Sequence, residues 1–269
     1  MDNLVIIIIP IYREKFTSFE EISLRRVLKV LGKKYPISFI CPENLSLKEY
    51  HKITQSNTLL NLSHKRFPAS YFESIQSYNR LMLSSNFYKE FLKYEYMLIY
   101  QLDCYIFKDD LEYWCHQKYD YIGAPWFTYT LYNLSKFEKL KFFTEQYLDK
   151  ILKKDISEKS LYYQVGNGGF SLRKINKFYK ILEKYSSKVI NKYIGNDSTS
   201  LYNEDVFWSY EVNKGIVNKI KIPFFKKAAH FSLDPCPSIG MKIINPDLPF
   251  GCHAWHKNLL FWKNYIKEI

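Results

Sequence analysis

Leu4-Val5-Ile6-Ile7-Ile8-Ile9 is an uninterrupted aliphatic run that stops at Pro10. It lacks the polar alternation of a half-buried strand, which is the pattern of a strand buried on both faces, and such strands belong to parallel sheets covered by helices on each side. The run is far shorter than the roughly 20 apolar residues that span a bilayer. A parallel strand needs a crossover, and the sequence supplies one. Ser18-Phe19-Glu20-Glu21 reads as a capping box, Leu24, Val27, Leu28 and Leu31 recur at helical spacing, and Gly32 stands where the helix should stop.

The alternation continues. Ile37 to Cys41 reads as a second strand, Ser46-Leu47-Lys48-Glu49 as a cap over a short helix, and Thr58 to Leu62 as a third strand. Ser70 to Glu73 is expected to cap a helix marked by Phe72, Ile75, Asn79, Met82 and Leu83, followed by an aromatic helix over Phe87 to Leu92 and a fourth strand, Tyr96 to Tyr100. Further on come a short strand near Tyr119 to Ile122, an amphipathic helix from Lys136 to about Leu152 and a strand at Phe170 to Leu172. Helices follow near Ile175 to Tyr185 and Val206 to Val212. The expected fold is α/β: a mostly parallel, doubly wound sheet flanked by helices. No linker or internal repeat divides the chain, so one domain over 1–269 is expected, with a nucleotide-binding half at about 1–105 and an acceptor half at about 106–269.

Composition narrows the partners. With 47% hydrophobic and 25% charged residues among 269, and only 9 Gly and 10 Pro, disordered and collagen-like readings fail. A net charge of +12 favours anionic partners. The basic residues are scattered, with pairs only at Lys33-Lys34, Lys153-Lys154 and Lys226-Lys227, and no nucleic-acid module is present, which disfavours nucleic acid. Five cysteines, never spaced C-x-x-C, argue for reduced thiols rather than a disulfide framework or closed zinc site. Met1-Asp2-Asn3 offers no basic start of an export signal, so a cytoplasmic location is the expectation. Aromatics reach 18%, which suits packing against sugar and base rings and equally suits a low-GC coding bias.

In a sheet of this kind ligands bind outside the carboxyl ends of the strands. Three segments fall there: Pro10-Ile11-Tyr12-Arg13, Cys41-Pro42-Glu43 and Gln101-Leu102-Asp103. Asp103 either caps a turn or offers a hard oxygen ligand to Mg²⁺ or Mn²⁺. Gly166-Asn167-Gly168-Gly169 holds three of the nine glycines, for a tight turn or for close approach of a ligand, and it is neither G-x-G-x-x-G nor a Walker loop. Asn203-Glu204-Asp205 places two acids in a first helical turn, where they suit the helix dipole or supply a general base. His253 in Gly251-Cys252-His253-Ala254-Trp255-His256 is either structural or a metal ligand. Arg13, Arg80 and Arg173 are candidates for paired hydrogen bonds to phosphate, Arg13 foremost because it follows a strand.

Pro10-Ile11-Tyr12, Tyr78-Asn79-Arg80-Leu81-Met82, Gln101-Leu102-Asp103, Asp120-Tyr121-Ile122-Gly123-Ala124-Pro125-Trp126, Gly166 to Arg173, Glu204-Asp205 and Phe250-Gly251-Cys252-His253 occur in this order over nearly the whole chain. Together they resemble a bacterial family of GT-A-like glycosyltransferases long labelled only as a domain of unknown function. The resemblance implies transfer of a sugar from a nucleotide diphosphate donor, such as a UDP-sugar, to a hydroxyl of a saccharide or lipid-linked saccharide in bacterial surface polysaccharide synthesis. It places the Asp-x-Asp motif on Asp103-Cys104-Tyr105, where the second acid is missing, and implies that His253 joins Asp103 in holding Mn²⁺ or Mg²⁺. It implies nucleotide-sugar contacts from Pro10, Ile11, Tyr12, Arg13, Arg80, Gln101 and Asp103, and a pocket shaped by Gly168, Gly169, Phe170 and Trp126. Asp205 is the implied base, with Glu204 beside it. The positive charge and the tail Leu259-Leu260-Phe261-Trp262 suggest peripheral contact with the anionic inner face of a membrane, although the tail fits a last core helix equally well. The rival to catalysis is a nucleotide- or saccharide-binding module that kept the fold and lost the second metal carboxylate.

Overall fold

A computed structural model describes residues 3–55, 60–195 and 200–268. The opening aliphatic run becomes β1 (Val5–Pro10), buried along its whole length. It lies inside a six-stranded sheet with β2 (Ile37–Pro42), β3 (Leu62–Phe67), β4 (Tyr96–Tyr100), β6 (Tyr121–Ile122) and β7 (Phe170–Lys174), in the order β3-β2-β1-β4-β7-β6. β1 pairs parallel with β2 and β4, and β2 parallel with β3; β7 alone is reversed, antiparallel to both β4 and β6. A smaller sheet of β5 (Tyr105–Ile106), β9 (Gly251–Cys252) and β8 (Ser232–Leu233), in that order, was not anticipated from the sequence.

Helices cover both faces. In the first half they are α1 (Ser18–Val30), α2 (Lys48–Thr54), α3 (Ile75–Met82), α4 (Ser85–Lys89), α5 (Leu111–His116), α6 (Tyr129–Tyr132) and α7 (Lys136–Ile151). The second half adds α8 (Glu158–Leu161), α9 (Ile175–Lys184), α10 (Ser187–Ile194), α11 (Glu204–Ser209), α12 (Phe225–Phe231), α13 (Pro237–Ile244) and α14 (Leu259–Trp262). The strand period of two sorts β1 between two cores. Val5, Ile7 and Ile9 join Leu24, Val27 and Leu28 of α1 in one core, whereas Ile6 and Ile8 join Met82, Phe87, Tyr88 and Phe178 in the other.

Local signals landed close to their elements but not always on them. The capping box of α1 is made by Thr17 and Glu20, one position before the expected Ser18. Ser46 does not cap α2, whose N-cap is Leu47 without a side-chain bond. α3 is capped by Ser74 reciprocally with Ser77, because Ala69–Tyr71 forms a separate 3₁₀ turn. The third strand is Leu62–Phe67 rather than Thr58 to Leu62; as an edge strand it is only partly covered, so it reads Leu-Ser-His-Lys-Arg-Phe instead of an apolar run. Residues 58 and 59 of that expected strand lie outside the described residues.

All five cysteines are free thiols. α14 packs inward through Trp262, whose ring stands 5.4 Å from Phe107, and leaves Leu260 outward, so the tail is built as a core helix. Among the described residues, no helix is long and apolar enough to cross a membrane.

Candidate active site

The small sheet brings chemistry together at the ends of its three strands. β8 and β9 run parallel with Leu233 opposite Cys252, so the residues that follow them, Asp234 and His253, leave side by side. β5 is antiparallel to β9 with Tyr105 opposite Cys252, so Asp103, two residues before Tyr105, arrives at the same end. That end adjoins the carboxyl ends of β1 and β4, where the strand order of the large sheet reverses and ligands of doubly wound folds bind.

His253 sits between two carboxylates. Its Nε2 lies 3.1 Å from Asp103 Oδ1, and its Nδ1 lies 3.0 Å from Asp234 Oδ2. Asp234 Oδ2 also accepts a 2.7 Å hydrogen bond from Asn167 Nδ2. Asp234 offers an acceptor to Nδ1, and Asp103 Oδ1 with Gln101 Oε1 at 3.2 Å offers acceptors to Nε2, so the surroundings favour the imidazolium with a proton on each ring nitrogen. Burial pulls the imidazolium down, but Asp103 and then Asp234 outweigh it and hold the His253 pKa at about 10. The same exchange acts on Asp103: burial pushes its carboxyl up, the charge of His253 opposes this, and the net direction is down.

Asp103 Oδ1 is buried, and the group facing it is His253 Nε2 at 3.1 Å, without good hydrogen-bond geometry. A buried carboxylate oxygen poorly bonded to an imidazole nitrogen, with a second carboxylate fixing that ring from behind, fits a divalent cation that would be held by Asp103 and His253 in place of the Nε2 proton. Cys104 Sγ is close to both, but it is buried, faces the Gly169 carbonyl at 3.3 Å and has its thiol pushed well above the ordinary range by burial, which makes it a poor ligand. The residue at the second position of the Asp-x-Asp pattern, Tyr105, is buried with its hydroxyl on Glu268 at 2.8 Å, so it offers no substitute.

The glycine loop closes the site on one side. Gln101 N–H donates to the Gly169 carbonyl at 2.9 Å, and a Cβ on Gly169 would stand 2.2 Å from His253 Nε2 and 2.5 Å from Gln101 Oε1. Gly168 N–H donates to Asp205 Oδ2 at 3.3 Å, and Val206 N–H to Asp205 Oδ1 at 2.9 Å. Burial first, and the neighbouring charge of Glu204 second, raise the Asp205 pKa to about 6 despite those N–H groups. Glu204 is held differently: Arg173 grips both its oxygens, at 2.8 and 3.0 Å, and also donates to the Gly168 carbonyl at 3.2 Å.

These groups line one cleft of about 800 Å³, within the range of small-molecule sites. Pro10, Tyr12, Arg13, Gln101, Asp103, Gly168, Gly169, Glu204, Asp205 and His253 all border it, as the sequence suggested. Others do not. Ile11 alternates into the core, and Phe170 stacks on Phe231 at 5.2 Å, because the strand period turns each of them inward. Trp126 packs over Gly166, leaving no room there for a Cβ. Arg80 lies on the surface, directed at the Ser70 carbonyl, and Arg173 is spent on Glu204. Cys41-Pro42-Glu43 is away from the cleft, its Pro42 and Glu43 carbonyls bound by Arg66. Asp234 and Lys257 were missed; a single Asp before a Pro and one Lys in a basic chain carry no pattern.

No curated protein matches the sequence. Among solved structures, the galactosyltransferase LgtC in complex with donor and acceptor sugar analogs aligns over 92% of this chain and 86% of its own, at TM-score 0.55 and 13% identity. Mouse xyloside xylosyltransferase 1, apo form, aligns over 94% and 97% at TM-score 0.54 and 8% identity. Core-mannan synthase A from Aspergillus fumigatus matches 65% of this chain at TM-score 0.42 and 15% identity, and the chain spans 60% of that protein's length. At such identities the likeness is one of fold: a mixed α/β domain with a mostly parallel sheet, of the GT-A kind. In sequence, residues 61–253 match one family over well over half the chain, and the chain belongs to that family, described as Protein of unknown function (DUF5672).

Proposed function

We propose that the cleft transfers a sugar from a nucleoside diphosphate donor to a hydroxyl of a saccharide or lipid-linked saccharide. The observation behind this reading is the convergence of Asp103 and His253, 3.1 Å apart, with Asp205 on the walls of one cleft at the switch point of the sheet. Asp103 and His253 would hold Mn²⁺ or Mg²⁺, and such an ion neutralises the charge that develops on a departing diphosphate. Lys257 and Arg13, the latter paired with Glu20 at 2.6 Å, border the cleft and would serve as cations for the phosphates, and the exposed ring of Tyr12 would stack on the nucleoside. Gly168 and Gly169 leave room for Glu204 at the one and for His253 and Gln101 at the other, which keeps these groups against the loop wall.

Asp205 is the base in this reading. With a pKa of about 6 it is ionised near neutrality yet still basic enough to take the acceptor hydroxyl proton. Glu204 has no free oxygen for that task and serves Arg173 instead. Replacing Asp205 with Asn should abolish transfer and leave donor binding intact; transfer at the normal rate by Asp205→Asn would contradict the assignment. The anomeric configuration of the product, read by NMR, decides between direct displacement and retention. The biological setting proposed with this chemistry is bacterial surface polysaccharide synthesis, in the cytoplasm at the inner face of the membrane.

One observation favours the rival reading of a non-catalytic binding module: Tyr105 is buried where a second metal carboxylate would stand. Turnover separates the two, because donor binding without hydrolysis or transfer across a broad acceptor panel supports the module.

A further inference from the structure

Exposed apolar side chains gather on one part of the surface, away from the cleft just described. Of the sixteen large hydrophobic side chains exposed among the described residues, eight belong to α7 and two segments beside it. Phe137, Leu140, Tyr147 and Leu148 lie on the outward stripe of α7, with Leu152 just past its end. That stripe is the wrong way round for a surface helix, since the inward side of α7 is already served by Phe142, Phe143 and the buried Gln146.

The other three come from 215–224. Ile216 and Val217, 83% and 75% exposed, are adjacent at a loop tip. The tip is fastened to the end of α7 by the Gly215 N–H on the Lys150 carbonyl at 3.0 Å, which sets it beside Leu148 and Leu152. Phe224 joins through Phe225, which stacks on Phe143 of α7 at 6.1 Å.

Cations border the same patch. A cleft of about 780 Å³ runs between α7 and this segment, and Tyr147, Phe224, Lys150, Lys177, Lys219 and Lys221 line it. Among the described residues none of these four lysines is in an ion pair, although the chain forms many elsewhere. Asp120, the one acid on the cleft wall, is engaged by the Lys221 N–H. Eight such side chains on one helix and the segment fastened to it are more than scattered surface apolars, and apolar tips beside lysines outside ion pairs, two of them resting over Tyr185 and Tyr119, match a surface that is oily below and negative above.

We infer that the outward face of α7 and the 215–224 segment dock the protein on an anionic lipid bilayer, Ile216 and Val217 entering the acyl boundary and the cleft lysines meeting phosphate headgroups. The inference is independent of the chemistry proposed for the other cleft.

Co-sedimentation of the full chain with phosphatidylcholine vesicles, with and without phosphatidylglycerol, tests it. Vesicles with phosphatidylglycerol should bind at least about tenfold more tightly than phosphatidylcholine alone. Ile216→Ser with Val217→Ser, and separately Lys150→Gln with Lys219→Gln and Lys221→Gln, should each lose about tenfold or more, while Leu260→Ser, an exposed apolar residue of α14 outside the patch, changes nothing. Every substituted side chain is exposed or borders the cleft, and unchanged circular dichroism confirms that the variants fold. Equal affinity for both vesicle types, no binding to either, or variants that bind like wild type would overturn the inference. So would a dimer in sedimentation velocity that the Ile216 and Val217 substitutions dissociate, because the patch would then serve a second copy of the chain.

Discussion

Asp234 and His253 leave neighbouring strands of the small sheet in register and meet at 3.0 Å, carboxylate oxygen to Nδ1. The contact turns Nε2 towards Asp103 and fixes the ring from the side opposite to any ion. Outer carboxylates of this kind typically contribute about 10–100-fold in metal affinity. Asp234→Ala is therefore expected to weaken Mn²⁺ binding, measured by calorimetry or electron paramagnetic resonance, by about that factor with the fold intact. Unchanged affinity would show that the ring needs no such support.

Gly169 makes a sharper case, because its missing Cβ is the space in which Nε2 of His253 and Oε1 of Gln101 stand. Gly169→Ala must displace one or both groups. The expected outcome is loss of Mn²⁺ binding at a much smaller cost in thermal stability than a core substitution causes. Normal metal affinity in this variant would place the ion elsewhere.

The pH dependence follows from Asp205, whose carboxyl is raised from 3.8 to about 6 by burial and by Glu204. A base must be deprotonated, so turnover should fall as pH drops through about 6. For stability the sign is opposite. Between 3.8 and about 6 the folded state binds this proton and the unfolded state releases it, so this group's contribution to stability declines as pH rises through that window. Asp205→Asn should remove that decline, which thermal melts at pH 4 and pH 7 would register as a relative gain for the variant at the higher pH.

Arg173 and Glu204, with side chains 0% and 4% exposed, form a buried pair that ties α11 to the glycine loop. Removing one partner strands the other charge at a cost of about 3–5 kcal/mol. Arg173→Met should lower the melting temperature by about 10 °C or more, and it should disturb Asp205 through the Gly168 backbone. A variant that melts like wild type would mean that Glu204 finds another partner or takes up a proton without strain.

How far the sequence reveals this structure differs element by element. β1, β2 and β4 were legible because strands buried on both faces must be apolar throughout, and Tyr96 to Tyr100 was placed to the residue. β3 was not, since an edge strand needs no apolar run. The caps of α1 and α3 were displaced because several Ser and Thr precede each helix and only the backbone decides which one bends back. Asp103 and Asp205 stand at ends that the strand and helix patterns mark, whereas the metal role of His253 and the preference for Asp205 over Glu204 rest on the family resemblance; all three border the cleft. Phe170 and Ile11 were misplaced because their neighbours face the cleft and the strand period turns them away from it. Asp234 could not be found at all: it matters only through the pairing of β8 with β9, two dipeptide strands with no sequence signature.

In the proposed function, Asp103 and His253 make the cleft a metal-assisted nucleotide-sugar site. The most direct measurement is a thermal-shift titration of UDP, GDP, CMP, dTDP and their sugars, each with Mn²⁺ or with EDTA, on wild type and on Asp103→Ala. A ligand that binds only the folded state raises its apparent stability, by about 2.7 kcal/mol at a hundredfold excess over Kd. The prediction is stabilisation by one nucleotide and its sugars, present with Mn²⁺ and lost both with EDTA and in Asp103→Ala. Absence of any shift with every nucleotide, or a shift indifferent to EDTA and to Asp103, would contradict it.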